Sequence, residues 1–147
     1  MDVMEAHAGL VHRYLRVAVG PDEAEDCLQE TLLAALRAYP RLTDDSNLRG
    51  WLLTIARRKA LDAHRARRRR PNPSDRLPEG RVDPPTEAEE GLWRAVRGLP
   101  SKQREAVVYR FVCDLPHREI GALMGTSEAA ARRSVHEGLK ALREVWT

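Results

Sequence analysis

Residues 71–85, PNPSDRLPEGRVDPP, divide the chain. Five prolines, one glycine and few large apolar side chains in fifteen residues cannot supply a core, so this stretch reads as a partly extended linker. Whatever lies on either side must fold by itself. The 147 residues then read as two small domains, 1–70 and 86–147, with the linker at 71–85.

No segment alternates apolar and polar residues with a period of two, whereas spacings of three and four recur in both halves. The fold class expected is all-α. In the first half, Met4, His7, Leu10, Val11, Tyr14, Leu15 and Ala18 trace one helix, which Gly20-Pro21 stops. Asp22 is the expected N-cap of a second helix, with Glu23, Glu25 and Asp26 in its first turn. Its expected core face is Ala24, Cys27, Leu28, Leu32, Ala35 and Leu36, and Pro40 ends it. Asp26, Gln29, Glu30 and Arg37 share the outer stripe. Residues 41–47, RLTDDSN, are turn-like, and Ser46 or Asn47 is placed to cap a third helix.

That third helix carries the most distinctive charge pattern. Leu48, Trp51, Leu52, Ile55, Ala56 and Leu61 form its expected apolar face. Nine basic residues (Arg49, Arg57, Arg58, Lys59, Arg65 and Arg67 to Arg70) face one acid, Asp62. Residues 1–30 have the opposite balance, seven acids against two bases. A net charge of +3 says little, but this asymmetry points to one cationic and one anionic surface, and a clustered basic helix fits nucleic acid.

In the second half, Thr86-Glu87-Ala88-Glu89 matches a capping box ahead of Leu92, Trp93 and Val96. Gly98 and Pro100 close that helix, and Ser101 is the expected cap of the next, whose apolar face reads Val107, Val108, Phe111 and Val112. Residues 117–139, HREIGALMGTSEAAARRSVHEGL, fit a helix-turn-helix. Ile120, Leu123 and Met124 face inward, Gly121 allows close approach and Gly125 suits a left-handed turn. Ser127 caps the second helix, whose buried side is Ala131, Val135, Leu139 and Leu142. Glu128, Ala130, Arg132, Arg133 and His136 are left on its outer side, an arrangement that suits the major groove. Gly138 interrupts this helix at a cost of about 1 kcal/mol relative to alanine.

Other classes of function find little support. Cys27 and Cys113 are too few and too far apart for a disulfide framework or a zinc site, and read as thiols in a reducing cytoplasm. No apolar run is long enough to span a membrane, and MDVMEAHAGL lacks the features of a secretory signal. Asp62 and His64 lack a nucleophile or a second metal carboxylate, so neither catalysis nor a metal or other cofactor is expected.

Three motifs now resemble a known family. Ala24-Glu25-Asp26-Cys27-Leu28-Gln29-Glu30-Thr31, Leu48 to Arg57 continuing to Asp62 and Arg65, and Leu99-Pro100 with Arg104-Glu105 ahead of the helix-turn-helix together resemble the extracytoplasmic-function group of bacterial RNA polymerase sigma factors. The chain departs from that pattern at Arg58, where the family usually has Asn, at Ala129-Ala130-Ala131-Arg132-Arg133-Ser134, and at His136-Glu137-Gly138.

The resemblance implies a promoter-specificity subunit with a sigma-2-like and a sigma-4-like domain. Its expected partners are the polymerase core (β′ clamp helices and β flap), promoter DNA and an anti-sigma factor, all met in the cytoplasm without membrane insertion. It implies core binding by Asp26, Gln29 and Glu30. It implies −10 single-strand contacts by Asp44, Ser46, Asn47, Trp51, Arg57, Arg58, Asp62 and Arg65, with the captured base held by the loop Leu42–Leu48. Trp51 also belongs to the apolar series, which favours packing over stacking. The −35 contacts it implies are Ser127, Glu128, Ala130, Arg132, Arg133 and His136. Two alternatives stand beside this reading: a stand-alone helix-turn-helix regulator, and a sigma-like adaptor that no longer reads promoters.

Overall fold

The computed structural model describes residues 2–43, 47–69 and 87–146. Among the described residues there are seven α-helices and no strand. The chain separates into two compact units, Met1–Arg81 and Val82–Thr147. The linker 71–85, the capping threonine Thr86, and Asp44, Asp45, Ser46 and Arg70 lie outside the described residues.

The first unit packs α1 (Asp2–Ala18), α2 (Pro21–Ala38) and α3 (Leu48–Arg69) pairwise around one core, with a short 3-10 turn at Tyr39–Arg41 after α2. Val11, Tyr14, Leu15, Ala24, Cys27, Ala35, Leu52, Leu53 and Ala56 are buried there. Thr31 is buried too, and its hydroxyl donates to the Cys27 carbonyl at 2.7 Å, so it brings no unpaired polar group into the core.

Three expectations are corrected. Asp22 is not the cap of α2: Gly20, at φ 91°, takes that position and Pro21 is the first helical residue. Proline has no N–H to leave unpaired there and its φ already suits a helix. Leu36 is exposed, not core-facing. On α3, Leu53 and Ala60 are buried and Leu61 is 41% exposed. That helix contacts both α1 and α2, so it buries a wider arc than a single apolar stripe, and Leu61 falls beyond its edge.

The second unit comprises α4 (Glu87–Arg97), α5 (Ser101–Phe111), α6 (His117–Met124) and α7 (Glu128–Trp146). Helix α5 contacts both α6 and α7, and Ala106, Val107, Val108 and Tyr109 are all buried. Four consecutive buried residues cover the whole circumference, whereas Phe111, expected in the core, is 57% exposed at the helix end. Leu92 of α4 is likewise exposed while Val96 is buried. Ser101 does not cap α5: Pro100 occupies the cap position, with no side-chain hydrogen bond. Asp114 closes the α5–α6 turn at φ 55°, a conformation asparagine and aspartate tolerate better than most residues.

Candidate nucleic-acid and protein interfaces

Helix α2 has two distinct faces. Ala24, Cys27, Thr31 and Ala35 are packed inward, while Asp26, Gln29, Glu30 and Arg37 are exposed. The sequence reading missed Leu33, which is 52% exposed on the same outer stripe, three residues beyond Glu30. Its spacing from Gln29 and Glu30 carried the signal. An apolar side chain set among carboxylates suits a cationic partner with an apolar patch better than it suits bulk water. The charge is felt within the helix: burial first, then Glu30, Glu23 and Asp26, raise the pKa of the Cys27 thiol, and Lys59 opposes them.

At the start of α3, Asn47 is the cap. Its Oδ1 accepts from the Gly50 N–H at 3.1 Å, and the Thr54 hydroxyl donates to the Gly50 carbonyl at 2.8 Å. Gly50 makes room for this, because a Cβ there would meet the Asn47 amide nitrogen at 2.5 Å. One oxygen of Asn47 is thus committed to the helix, and Nδ2 is the atom left to address a base edge. Trp51 is half-buried and meets the Tyr39 ring edge-on, with centroids 6.4 Å apart and planes at 61°. This is a packing role.

Further along α3, Arg57 is half-buried, and Arg58, Asp62 and Arg65 are exposed, with Arg65 Nη1 lying 3.8 Å from Asp62 Oδ1. His64 Nε2 is instead 2.8 Å from the Ala18 carbonyl oxygen. Arg58, Arg65, Arg67 and Arg68 of this helix are thus exposed while its inner face joins the core.

In the second unit, α6 and α7 meet at a turn built on Gly125, at φ 69°. Glycine is favoured there because the left-handed region costs other residues roughly 1–2 kcal/mol. A Cβ on Gly121 would sit 2.9 Å from the carbonyl oxygens of both Thr126 and Ser127, so the turn folds directly over α6. Ser127 caps α7, its Oγ accepting from the Ala130 N–H at 3.0 Å. The inward side of α7 is Ala131, Val135 and Leu142, with Leu139 half-buried. Glu128, Arg132, Arg133 and His136 are exposed and Ala130 is half-buried. Arg132 Nη2 lies 3.4 Å from Glu128 Oε1. His117, at the start of α6, has its pKa lowered by partial burial and by Arg110 and Arg132, with Glu128 acting the other way.

A capped helix with exposed arginines, set over a glycine turn, defines a helix-turn-helix DNA-binding protein. Comparison with known proteins makes the assignment specific. Residues 3–70 match the Sigma-70 region 2 family and residues 89–142 match Sigma-70, region 4. The chain is 34% identical over 158 residues to the ECF RNA polymerase sigma factor SigD of Mycobacterium tuberculosis, covering 97% of this chain and 74% of that one. It is 33% identical over 154 residues to the RNA polymerase sigma factor CarQ of Myxococcus xanthus, covering 98% and 87%. Among solved structures, the sigma factor RpoE of Bartonella quintana superposes with a TM-score of 0.81 at 22% identity over 99% of this chain and 94% of that chain. CnrH superposes at 0.78 and 19%, over 99% and 85%. Both likenesses bear on the fold. The chain belongs to the extracytoplasmic-function group of sigma-70 RNA polymerase sigma factors. It directs RNA polymerase to specific promoters for transcription initiation.

Proposed function

We propose that residues 1–70 dock on the polymerase core and read the −10 element, that residues 86–147 read the −35 element, and that 71–85 tether them. Asp26, Gln29 and Glu30 bind the core, with Leu33 beside them. Asn47, Arg57, Arg58 and Arg65 engage the opened −10 strand together with Asp44 and Ser46 of the preceding loop, while Trp51 and Asp62 support that surface. Ser127, Glu128, Ala130, Arg132, Arg133 and His136 form the −35 face. The observation that carries this reading is the division of α2 into a closed inner face and an outer stripe combining three polar groups with an exposed leucine.

The chain acts without catalysis of its own, the phosphodiester chemistry belonging to the polymerase. In support, Asp62 faces Arg65 and His64 faces a backbone carbonyl, so the two do not form an acid–base pair. It works in the cytoplasm, where polymerase and DNA are. No helix among the described residues is long and apolar enough to cross a membrane. RpoE of Bartonella quintana is found in complex with the anti-sigma factor NepR, and CnrH with the cytosolic domain of CnrY. By analogy an anti-sigma factor is a partner here.

The test is binding to purified core polymerase. Asp26→Lys or Gln29→Ala weakens core affinity while circular dichroism shows unchanged helix content, since neither residue belongs to the packed face. Unaltered affinity in both variants would place the docking surface elsewhere.

A further inference from the structure

The cationic end of α3 is tied to the acidic start of α2. Arg67 Nε donates to Glu23 Oε1 at 3.0 Å, and Arg67 Nη2 lies 2.9 Å from the same oxygen. The Glu23 side chain is 21% exposed against 46% for Arg67, so the carboxylate is the more firmly packed partner and the arginine reaches to it. About one turn earlier, His64 Nε2 is 2.8 Å from the Ala18 carbonyl oxygen. Two contacts spanning 44 and 46 residues of sequence hold the end of α3 against the junction of α1 and α2.

Two guanidinium donors on one carboxylate oxygen are the donors an arginine offers to a phosphate oxygen. Glu23 also lies in a negative field. Asp26 and Glu30 follow it at three and seven residues on the same helix, and all three carboxylates act on the Cys27 thiol in the same direction. A cation beside Glu23 relieves that repulsion, and Arg67 is the cation found there.

We propose that Glu23 stands in for a DNA phosphate on Arg67, masking one cationic contact of α3 in the free chain. A nucleic-acid backbone gains Arg67 only by displacing this carboxylate. The mask rests on α3 being a DNA-facing helix. Its size is that of a partly exposed ion pair, equivalent to about a 1.4- to 5-fold change in affinity. That is enough to weaken contact with arbitrary DNA and too little to oppose a full set of promoter contacts.

The experiment is fluorescence anisotropy of the full chain with a labelled forked duplex of arbitrary sequence, titrated with salt. Glu23→Gln tightens binding about 1.4- to 5-fold at low salt and steepens the slope of log K against log salt by up to about 0.9, the signature of one more phosphate contact. In an Arg67→Gln background the same change has no effect. An unchanged slope, or a gain that survives without Arg67, overturns the mask and leaves Glu23 as a structural tie or a source of bulk charge. Glu23→Asp keeps the charge but shortens its reach, so it steepens the slope as well; it is the variant to use if a melting curve shows Glu23→Gln unfolded. Arg57→Gln and Arg58→Gln are measured alongside. If they weaken binding while Glu23→Gln leaves the slope alone, only the mask fails. If they too leave binding unchanged, α3 is not a DNA face, and the broader assignment fails with the mask.

Discussion

Gly138 of α7 sits directly against Val107 of α5: a Cβ at position 138 would lie 2.6 Å from Val107 Cγ2 and 3.3 Å from the Gln103 carbonyl oxygen. A mid-helix glycine that looks only costly in the sequence is therefore the residue that lets α5 and α7 approach. Helix propensity favours alanine by about 1 kcal/mol, but overpacking a filled site costs about 1–3 kcal/mol, and a buried valine has little room to yield. Gly138→Ala is expected to destabilise the second unit, read as a lower denaturant midpoint. Most of that cost should disappear once Val107 Cγ2 is removed: in a Val107→Ala background Gly138→Ala should be clearly less destabilising than in wild type, with the Gln103 carbonyl oxygen at 3.3 Å left as the remaining close contact. The same destabilisation in both backgrounds would remove the Val107 contact as the reason for the glycine.

Asn47 has two separable tasks. Its Oδ1 caps α3, and Nδ2 is the donor proposed for a base edge. Asn47→Asp keeps an oxygen for the cap but loses the donor and adds a negative charge beside DNA. Asn47→Ala loses both and costs about 1 kcal/mol of stability. Thermal melting should thus distinguish Asn47→Ala from wild type but leave Asn47→Asp nearly unchanged, whereas binding of a single-stranded −10 oligonucleotide should fall in both. If Asn47→Asp binds as well as wild type, the residue is a cap and nothing more.

Much of this was legible from residue spacing. The seven helices seen among the described residues, the left-handed turn at Gly125 and the Ser127 cap all leave local signatures, and the structure contains each of them. What periodicity could not give is how many neighbours a helix has. Helices α3 and α5 each touch two others, so Leu53 and Ala60, and Ala106 and Tyr109, are buried outside the single stripe that spacing picks out. Contacts between distant residues leave no local trace either. The Arg67–Glu23 pair joins residues 44 apart, and the reason for Gly138 lies on another helix. Leu33 was overlooked for a different cause: the outer stripe was traced through its polar residues, and an apolar side chain at the same spacing was given no place on it.

Acid should expose the contribution of His117. Its pKa is held below the ordinary histidine value by burial, Arg110 and Arg132. As pH falls through about 6.5, the unfolded chain takes up this proton first and the folded chain only later. The stability in question is therefore present above that value and lost as pH drops through the folded pKa. His117→Gln removes the difference between the two states. A plot of melting temperature against pH from about 7 to 5 should be flatter for this variant than for wild type. Parallel curves would show that His117 carries no acid sensitivity.

The last expectation concerns the two classes of arginine. Arg132 lies one helical turn past the capped start of α7, within 3.4 Å of Glu128 and exposed alongside it, a position suited to a base edge. A guanidinium reading guanine is worth ~1–3 kcal/mol of discrimination, whereas one that meets only phosphate adds affinity without preference. Arg132→Ala or Arg133→Ala should therefore narrow the gap between a cognate −35 duplex and a scrambled one. Glu128→Gln should narrow it by a smaller amount, through loss of the partner beside Arg132. Arg65→Ala, on the basic helix of the other unit, should weaken binding whatever the sequence when those duplexes carry an opened −10 strand, and flatten the salt dependence by about 0.7 per single-strand phosphate lost. These outcomes can be read from one set of salt titrations on paired DNAs. If all four variants lower both affinities equally, neither Arg132 nor Arg133 is a sequence reader, and the specificity of the −35 face rests on other side chains of α7.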